Sequence, residues 1–333
     1  MDKAIEERMN PTVLAAVHQR YGLQQAALQP LAASESFMYS FARGADHYVL
    51  RLSHSLRRDE QLIAAELDWL NFLAAGGVRV AGAVASPAGH LIETIADDQG
   101  GHFLATAFVR AEGRAPYDYG WDEPLYWHYG NLLGRLHARS KQYEPPAGLR
   151  RPNWDHDSLD LVEHYLPASE AVAIAHYRAL HAQRQALPQE PASFGLIHQD
   201  AHGGNFLVDA AGQITLFDFD DCLYSWFVND IAMAIFYRLL GEADMVGLAR
   251  QFLPPFMAGY FAANDLDPTW LETIPLFLKV REIELFALMY REHGSLDQID
   301  NDWDARFMMG RQESIYNNRP FVAYDFSQLA PDH

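Results

Sequence analysis

The segment GLIHQDAHGGNFLVDAAGQITLFDFDDC, residues 195 to 222, constrains the fold of this 333-residue chain more than any other feature. Two polar clusters, HQDAHGGN and DFDD, flank two short apolar runs, NFLV and ITLF, and the turn-forming sequence DAAGQ separates these runs. Strand-like runs on either side of such a turn predict a β-hairpin. A hairpin returns the chain to its starting end, so we expect Asn205 and Asp218 to lie side by side.

The polar residues of this segment have the chemistry of a metal and phosphate site. Asn205 and Asp218 offer amide and carboxylate oxygens, the hard ligands that Mg²⁺ prefers. Asp200 lies five residues before Asn205, in a loop that contains Gly203 and Gly204, and would face whatever the metal holds. A base, a metal-binding amide and a metal-binding carboxylate are what phosphoryl transfer from a nucleotide requires.

The two clusters also resemble a known family. HQDAHGGN and FDFDD are similar to the H-x-D-x-x-x-x-N and D-x-D elements of the aminoglycoside phosphotransferase and choline kinase family, which are relatives of protein kinases. The resemblance extends from about residue 25 to about residue 300. It implies that Asp200 orients or deprotonates the acceptor hydroxyl, while Asn205 and Asp218 hold Mg²⁺. A branch that includes bacterial stress-response and homoserine-kinase-like enzymes is also similar.

The same resemblance implies roles for the residues around these three. His198 would brace the backbone of the catalytic loop, and Asp230, in VNDIA, would support that loop from below. Asp220 replaces the glycine of protein kinases and would assist a second metal ion. Gln199 stands where many relatives have glycine.

A basic residue and an acid are predicted to pair in the N-terminal part of the chain. On the strand HYVLRL, Arg51 falls on the face opposite Leu50 and Leu52. Glu66 falls within the apolar stripe of the helix that follows. An unpaired buried carboxylate is costly, so Arg51 is its predicted partner. By resemblance the pair grips the α- and β-phosphates of the nucleotide. The alternative is a purely structural ion pair.

The resemblance also implies where the rest of the nucleotide binds. The loop AASESFMY, around Ser34 and Ser36, would cover the phosphates. The adenine would hydrogen-bond to the backbone of Phe108, Val109, Arg110 and Ala111. The expected cofactors are ATP (or GTP) and Mg²⁺.

Periodicity along the chain predicts an α+β fold in two parts. Strand-like runs at 36–41 and 47–53, a helix within 57–77 and the further strands HLIETIADD and HFLATAFV predict a small antiparallel sheet with one helix. Residues 1–109 would form this nucleotide-covering N-lobe, and residues 110–333 a helical C-lobe with the catalytic and metal-binding loops. We expect a bilobal protein-kinase-like fold with five strands in the N-lobe.

Composition excludes several classes of function. Twenty-five basic against 44 acidic residues give a net charge of −19, which disfavours a nucleic-acid partner and tolerates a cationic substrate. No apolar run approaches the roughly 18 residues that a membrane span needs, and the N-terminal segment lacks a signal-peptide core, so we expect a cytoplasmic protein without a membrane partner. The single cysteine, Cys222, excludes an internal disulfide and a cysteine metal cluster.

The acceptor is open at this point. The leading hypothesis is an ATP-dependent phosphotransferase, an enzyme with a small hydroxylated metabolite such as an amino alcohol or sugar alcohol as acceptor. The alternatives are an aminoglycoside-type antibiotic, a protein Ser/Thr side chain, and a catalytically silent kinase-like binding module. His198, Asp200 and His202 also form an H-x-D-x-H pattern that suits a transition metal. Acids of the C-terminal helices are candidates for lining an acceptor pocket, namely Glu282, Glu284 and Glu292.

Overall fold

The computed structural model describes residues 2–24, 27–31, 35–156 and 158–331. The chain divides into two compact units. The first consists of Met1–Gly113, Tyr143–Arg151 and Thr215–Asp220, and the second of Arg114–Gln142, Pro152–Ile214 and Asp221–His333. Two short segments of the first unit therefore come from the part of the chain that the sequence pattern places in the C-lobe.

Among its described residues, the first unit contains an antiparallel sheet and three helices. Its strands are β1 (Gln29–Pro30), β2 (Phe37–Arg43), β3 (Asp46–His54), β4 (Ala83–Val84), β5 (Glu93–Ala96) and β6 (His102–Val109). Its helices are α1 (Lys3–Glu6), α2 (Pro11–Tyr21) and α3 (Glu60–Ala75). The strand order is β1-β2-β3-β6-β4, and β5 also pairs with β6.

The expected strand number is wrong. Within the described residues the sheet has six strands instead of five. The sequence pattern revealed β2, β3, β5 and β6, whereas β1 and β4 are only two residues long. A two-residue strand carries no alternation of apolar and polar side chains, so periodicity cannot detect it.

The two faces of the sheet pack against different helices. Leu50, Leu52 and Phe103 point to one face, where Val13 and Val17 of α2 share their core. On the opposite face Leu104 packs against residues of α3. Because side chains alternate along a strand, Arg51 lies on the α3 face. The sheet thus presents a charged side chain to a helix that is mostly apolar.

The second unit is largely helical. Its helices are α4 (Pro116–Tyr119), α5 (Glu123–Ser140), α6 (Ser158–Tyr165), α7 (Ala171–Gln185), α8 (Phe227–Leu239), α9 (Met245–Phe261), α10 (Ile274–His293), α11 (Asp302–Met308) and α12 (Arg311–Tyr316). Short 3₁₀ helices lie at Ala168–Glu170, Pro268–Thr273, Leu296–Gln298 and Phe326–Leu329. None of the helices among the described residues is both long enough and apolar enough to span a bilayer.

Glycines allow α5 and α9 to approach closely. A Cβ atom at Gly130 of α5 would lie 1.7 Å from the carbonyl oxygen of Phe256, and one at Gly259 of α9 would lie 2.0 Å from that of Trp127. Real Cβ atoms do not come so near, so any side chain at either position would push the helices apart. This packing fixes α5, which carries a residue of the candidate site.

Short strands position the polar clusters. They are β7 (Phe194–Ile197), β8 (Phe206–Val208), β9 (Ile214–Leu216) and β10 (Leu223–Trp226). The turn that joins β8 to β9 is closed by the bond from the Asp209 amide to the Gln213 carbonyl, so the predicted hairpin is confirmed. β7 pairs antiparallel with β10, and α8 begins directly after β10. His198 follows β7, and Asp230 falls in the first turn of α8.

Candidate active site

Asp230 holds the loop that follows β7. Its carboxylate is fully buried and accepts the backbone N–H of His198 at 2.9 Å and that of Gln199 at 2.7 Å. These two bonds fix the loop backbone immediately before Asp200. The bracing role predicted for Asp230 is thus matched by its contacts, while its effect on catalysis stays a prediction.

A buried histidine of α5 supports Asp230. His137 Nε2 lies 3.1 Å from Asp230 Oδ2, and His137 Nδ1 lies 2.9 Å from the Tyr260 hydroxyl. Asn264 donates to that hydroxyl oxygen at 2.8 Å, so the hydroxyl proton is free to donate to Nδ1. Burial lowers the pKa of His137 despite the neighbouring carboxylate. A neutral imidazole with its proton on Nε2 fits these contacts, and the sequence pattern did not single out this residue.

The backbone of Gln199 explains why glycine is common at this position. Its φ angle is 73°, in the left-handed region that costs little only for glycine. Two contacts hold the residue in this conformation: its N–H donates to Asp230, and its side-chain oxygen accepts from Asn229 at 2.6 Å. These hydrogen bonds offset the conformational strain of placing Gln199 in the left-handed region.

The carboxylate of Asp200 is surrounded by donors. Asn205 donates its side-chain N–H to the Asp200 carbonyl at 2.8 Å and to Oδ2 at 3.1 Å. His202 Nε2 lies 3.2 Å from Oδ2, and Arg281 Nη2 donates to Oδ1 at 3.3 Å. Burial raises the pKa of Asp200, but His202 and Arg281 outweigh it and hold the pKa below its usual range. Asp200 is thus ionised at neutral pH.

The H-x-D-x-H pattern stays open as a transition-metal motif, but its residues have other partners here. His198 Nδ1 accepts the Asp200 backbone N–H at 3.3 Å. His202 Nδ1 accepts the Gly204 backbone N–H at 2.9 Å, and its other nitrogen faces Asp200. These contacts give both histidines a structural role in the loop.

Arg281 of α10 is a site residue that sequence reasoning missed. Its Nε donates to the Tyr237 hydroxyl at 3.1 Å, and its guanidinium lies over the Tyr237 ring, 5.3 Å from the centroid. Burial raises the pKa of Tyr237 to about 12, so the hydroxyl stays neutral beside the cation. No local motif marks Arg281, because its relation to Asp200 depends on how α10 packs.

The three acids proposed for the acceptor pocket differ in their surroundings. Glu282 is fully buried and accepts from Lys279 at 2.5 Å and from Arg311 at 2.6 Å, so it faces the protein interior. Glu284 accepts from Tyr177 at 2.7 Å and keeps part of its surface. Glu292 pairs with its neighbour Arg291 at the surface. Of the three, Glu284 is the one that is partly exposed, contacts buried partners and lies near Arg281.

In the first unit, Arg51 and Glu66 form the predicted ion pair. Arg51 Nη1 and Nη2 donate to the two carboxylate oxygens of Glu66 at 2.9 and 2.7 Å, and both side chains are buried. Burial opposes the charge of Arg51, but Glu66 and Asp220 outweigh it and raise the pKa of Arg51 above its usual range. The Arg51 guanidinium also lies 5.1 Å from the ring centroid of Phe108. The grip on nucleotide phosphates stays a prediction.

Asp220 lies among arginines. Its Oδ2 is 2.5 Å from Arg57 Nη1 and 3.4 Å from Arg58 Nη2, and its Oδ1 is 3.6 Å from Arg51 Nη1. Burial raises the pKa of Asp220, but the three guanidiniums outweigh it and hold the pKa below its usual range. Arg57 also contacts Glu35, which belongs to the predicted phosphate-covering loop. The second-metal role of Asp220 stays a prediction, and it competes with this arginine cluster.

Phe219 and Asp220 are held against α3 within the first unit. Asp218 has a φ angle of 64°, and the Phe219 ring packs edge-on against Trp69 with centroids 5.4 Å apart. Arg151 donates to the carbonyl of Leu62 at 3.0 Å and also to the carbonyl of Asp220. Arg151 thereby ties this segment to α3, and sequence reasoning did not identify it.

The other nucleotide-binding predictions fall on both described and undescribed residues. Ser34 lies outside the described residues, whereas the Ser36 hydroxyl is 3.1 Å from that of Ser53. In the predicted adenine-binding segment, the N–H of Val109 donates to Gly82 and that of Arg110 donates to the carbonyl of His47. These two N–H groups are committed to the first unit's own backbone, so an adenine would need the carbonyls or the N–H of Ala111.

Asn205 in the second unit and Asp218 in the first each offer an oxygen that suits a hard divalent cation. The Asn205 side-chain nitrogen donates to Asp200, so the amide oxygen points away from that carboxylate and remains suited to a cation. Asp218 supplies a carboxylate. Amide and carboxylate oxygens are the ligands that Mg²⁺ and Ca²⁺ take.

Comparison with known proteins gives a consistent result. The family model described as "Phosphotransferase enzyme family" matches residues 27–275. Amicoumacin kinase of Bacillus subtilis is 33% identical over 323 residues, which cover 95% of each chain.

Solved structures extend this similarity. An amicoumacin kinase in complex with AMP-PNP, Ca²⁺ and Ami has a TM-score of 0.92 and 31% identity, covering 99% of this chain and 100% of that one. The microcompartment-associated aminopropanol kinase has a TM-score of 0.75 at 23% identity, covering 93% and 98%, and supports the fold alone. The predicted family resemblance and the α+β, protein-kinase-like fold are confirmed.

Proposed function

Because the chain belongs to the phosphotransferase enzyme family, we propose that it transfers the γ-phosphoryl group of Mg-ATP to a hydroxyl of amicoumacin or a close analogue. The chain is a kinase with a hydroxyl as phosphoryl acceptor. The kinase assignment leaves no place for the silent binding module. The identity of the acceptor, the preference for ATP over GTP and the use of Mg²⁺ are the parts proposed here.

The observation that carries the proposal is similarity to one enzyme along the whole chain. The 33% identity to amicoumacin kinase covers 95% of both chains, so it includes the helices of the second unit as well as the motifs. Acceptor pockets of this family are built from such helices, whereas the motifs serve every family member alike. A match limited to the motifs would have supported a kinase without favouring any acceptor.

Asp200 is the residue proposed to direct the acceptor. Its ionised carboxylate accepts hydrogen bonds only, so it can take the acceptor hydroxyl as a donor and turn the oxygen toward the phosphorus. Asn205 holds one edge of that carboxylate in place. Positioning and charge stabilisation, rather than covalent chemistry, account for most catalysis of phosphoryl transfer.

The phosphoryl donor, Mg-ATP, is proposed to be bound by Arg51, Asn205 and Asp218. Arg51, kept cationic by Glu66, would contact nucleotide phosphates. Asn205 and Asp218 would each supply an oxygen ligand to the metal. A bound divalent cation neutralises the charge that develops on the phosphates during transfer.

The test combines nucleotide binding with product detection. Thermal denaturation is measured with ATP or GTP, with and without Mg²⁺, and with each metal alone. A ligand present at 100 times its Kd adds about 2.7 kcal/mol to the free energy of unfolding, which shifts the midpoint by several degrees. We expect stabilisation that needs both nucleotide and Mg²⁺; stabilisation by Zn²⁺ alone would point instead to the H-x-D-x-H metal site.

Mass spectrometry then identifies the acceptor. Amicoumacin, an amino alcohol, a sugar alcohol, an aminoglycoside and a casein-type protein substrate are each incubated with Mg-ATP and the enzyme. We expect amicoumacin to gain one phosphoryl group. Phosphorylation of another acceptor with none on amicoumacin would overturn the proposed substrate while leaving the kinase assignment intact.

A further inference from the structure

We propose that Arg281 selects among acceptors by the charge of the chemical group that neighbours the acceptor's reacting hydroxyl. Arg281 favours acceptors with a neutral or anionic oxygen next to that hydroxyl and disfavours acceptors with an ammonium group there. This inference rests on the proposed function, because it takes Asp200 as the residue that receives the hydroxyl.

The side chains of Arg281 and Asp200 contact each other directly. Arg281 Nη2 lies 3.3 Å from Asp200 Oδ1, so any hydroxyl bound to this carboxylate has a guanidinium as a neighbour. The groups attached to the carbon next to that hydroxyl can therefore contact the Arg281 guanidinium. Arg281 is thus placed to interact with substituents one or two bonds from the reacting oxygen.

The side chains of Arg281 and Asp200 are both partly exposed. The Asp200 side chain retains 24% of its surface and that of Arg281 15%, so neither is sealed within the protein. Nε and Nη2 are engaged with Tyr237 and Asp200. Within the described part of the chain, Nη1 donates to no acceptor. A free guanidinium N–H beside the candidate base can bond an oxygen of the acceptor.

Tyr237 anchors the guanidinium of Arg281. The ring of Tyr237 lies under the guanidinium, and the ring of His202 lies 4.5 Å from the ring of Tyr237, centroid to centroid. Because stacking and a hydrogen bond to the Tyr237 hydroxyl hold the charge, the guanidinium cannot easily turn away from an incoming cation. A fixed charge discriminates between ligands better than a mobile one.

The charges beside Asp200 differ in sign from the net charge of the chain. The −19 net charge of the chain favours cations in general, but it acts from a distance and is screened by salt. The negative charge of Asp200 is itself paired with Arg281, so the further fixed charge that an acceptor meets beside this carboxylate is positive. Glu284, the acid in this region, is itself paired with Tyr177 and lies 3.7 Å from Arg184. An ammonium next to the reacting hydroxyl would face Arg281 at short range, and like charges at short range repel.

The experiment uses four small probes that share one secondary hydroxyl. Lactamide carries a neutral carbonyl beside it, lactate a carboxylate, 1-amino-2-propanol an ammonium, and propane-1,2-diol a second hydroxyl. kcat/KM for phosphorylation is measured with the wild type, Arg281→Gln and Arg281→Lys. Arg291→Gln, which alters an exposed arginine of the same helix, is the matched control.

We expect the wild type to prefer lactamide and lactate to 1-amino-2-propanol by about tenfold or more, since a built hydrogen-bonding site rejects a mismatched group strongly. Arg281→Gln should reduce that ratio toward one, while Arg281→Lys and Arg291→Gln should keep it. Mg-nucleotide stabilisation is recorded for every variant to establish that it is folded.

Three results would overturn the inference. An unchanged ratio in Arg281→Gln would show that the guanidinium does not select. An equal loss of kcat/KM for all four probes would assign Arg281 to catalysis instead. A wild type that is stabilised by Mg-nucleotide yet phosphorylates none of the four would show that contacts farther from the hydroxyl decide selection. Failure of the Mg-nucleotide-dependent transfer on which the inference rests is distinguishable, because the wild type would then show no Mg-nucleotide stabilisation, and failure of amicoumacin as the acceptor is read separately from the product assay with amicoumacin.

Discussion

The side chain of Asp230 in α8 bonds the backbone of His198, two residues before the candidate base. Asp230 Oδ2 accepts the His198 N–H at 2.9 Å, in a fully buried environment. A helix that begins directly after β10 thereby sets the path of a loop 32 residues earlier in the chain. The loop that leads to Asp200 is therefore held by a buried carboxylate of α8.

Replacing Asp230 should therefore destabilise the fold. Asp230→Ala leaves the N–H groups of His198 and Gln199 buried without their acceptor, and each such donor costs about 1 to 3 kcal/mol. Urea denaturation should show a loss in this range or above, with a smaller loss for Asp230→Asn, which keeps one acceptor oxygen. A free energy of unfolding equal to that of the wild type would contradict the bracing role.

Removing one charge of the Arg51–Glu66 pair should also be costly. Glu66→Gln leaves Arg51 buried with the more distant Asp220 and Asp218 as counter-charges, so we expect a loss of about 3 kcal/mol, the lower end for a broken buried pair. The double variant Arg51→Gln with Glu66→Gln should be less destabilised than the sum of the single ones. Additive losses in a double-mutant cycle would refute a direct coupling.

Asp218 and Asp220 should respond differently to the same substitution. Asp218→Asn is expected to weaken the Mg-dependent part of nucleotide stabilisation while leaving the unliganded melting temperature near that of the wild type. Asp220→Asn removes the shared counter-charge of Arg51, Arg57 and Arg58, so the unliganded protein itself should melt lower. If Asp220→Asn instead changed only the Mg-dependent shift, its role would be that of a metal ligand.

Asp97 should make stability depend on pH. Burial raises the pKa of this carboxyl, but the bond from Arg8, the N–H groups of Gln99 and Gly101 and the contact with His54 outweigh it, so the pKa lies below its usual range. A lowered folded-state pKa contributes stability that is fully present above the unfolded pKa, about 3.9, and is lost as the pH falls through the folded value.

The stability gap between the wild type and Asp97→Asn should therefore be widest at neutral pH and shrink below about pH 4. Urea midpoints at a series of pH values measure this gap. Asp98→Asn, at the exposed neighbouring position where asparagine also tolerates the left-handed backbone, serves as the control. A gap that stays constant down to pH 3 would exclude ionisation of Asp97 as its source.

The parts of the fold that follow local rules were predictable from the sequence. Alternation along β3 and the stripe on α3 placed Arg51 and Glu66 on facing surfaces, and the structure joins them with two hydrogen bonds. The turn between β8 and β9 is marked by its own residues. Asp230 was identified only through the family resemblance.

The residues that were missed depend on packing between distant segments. His137 reaches Asp230 across 93 positions of sequence, and Arg281 reaches Asp200 across 81. Arg151 bonds to Asp220 across 69 positions. No spacing or periodicity encodes such contacts, since they arise from the way whole helices pack. The acceptor side of the site was accordingly the part least accessible to sequence reasoning.

The measurement that tests the central claim most directly compares the wild type with Asp200→Asn in phosphoryl transfer and in nucleotide binding. Asp300→Asn, which alters an exposed carboxylate, is the control. The variant should lose about 10²- to 10⁴-fold in kcat for the acceptor, as expected on removal of a positioned base, and retain Mg-nucleotide stabilisation. Turnover near that of the wild type, or equal loss of binding and turnover, would contradict the role of Asp200 as the residue that directs the acceptor hydroxyl.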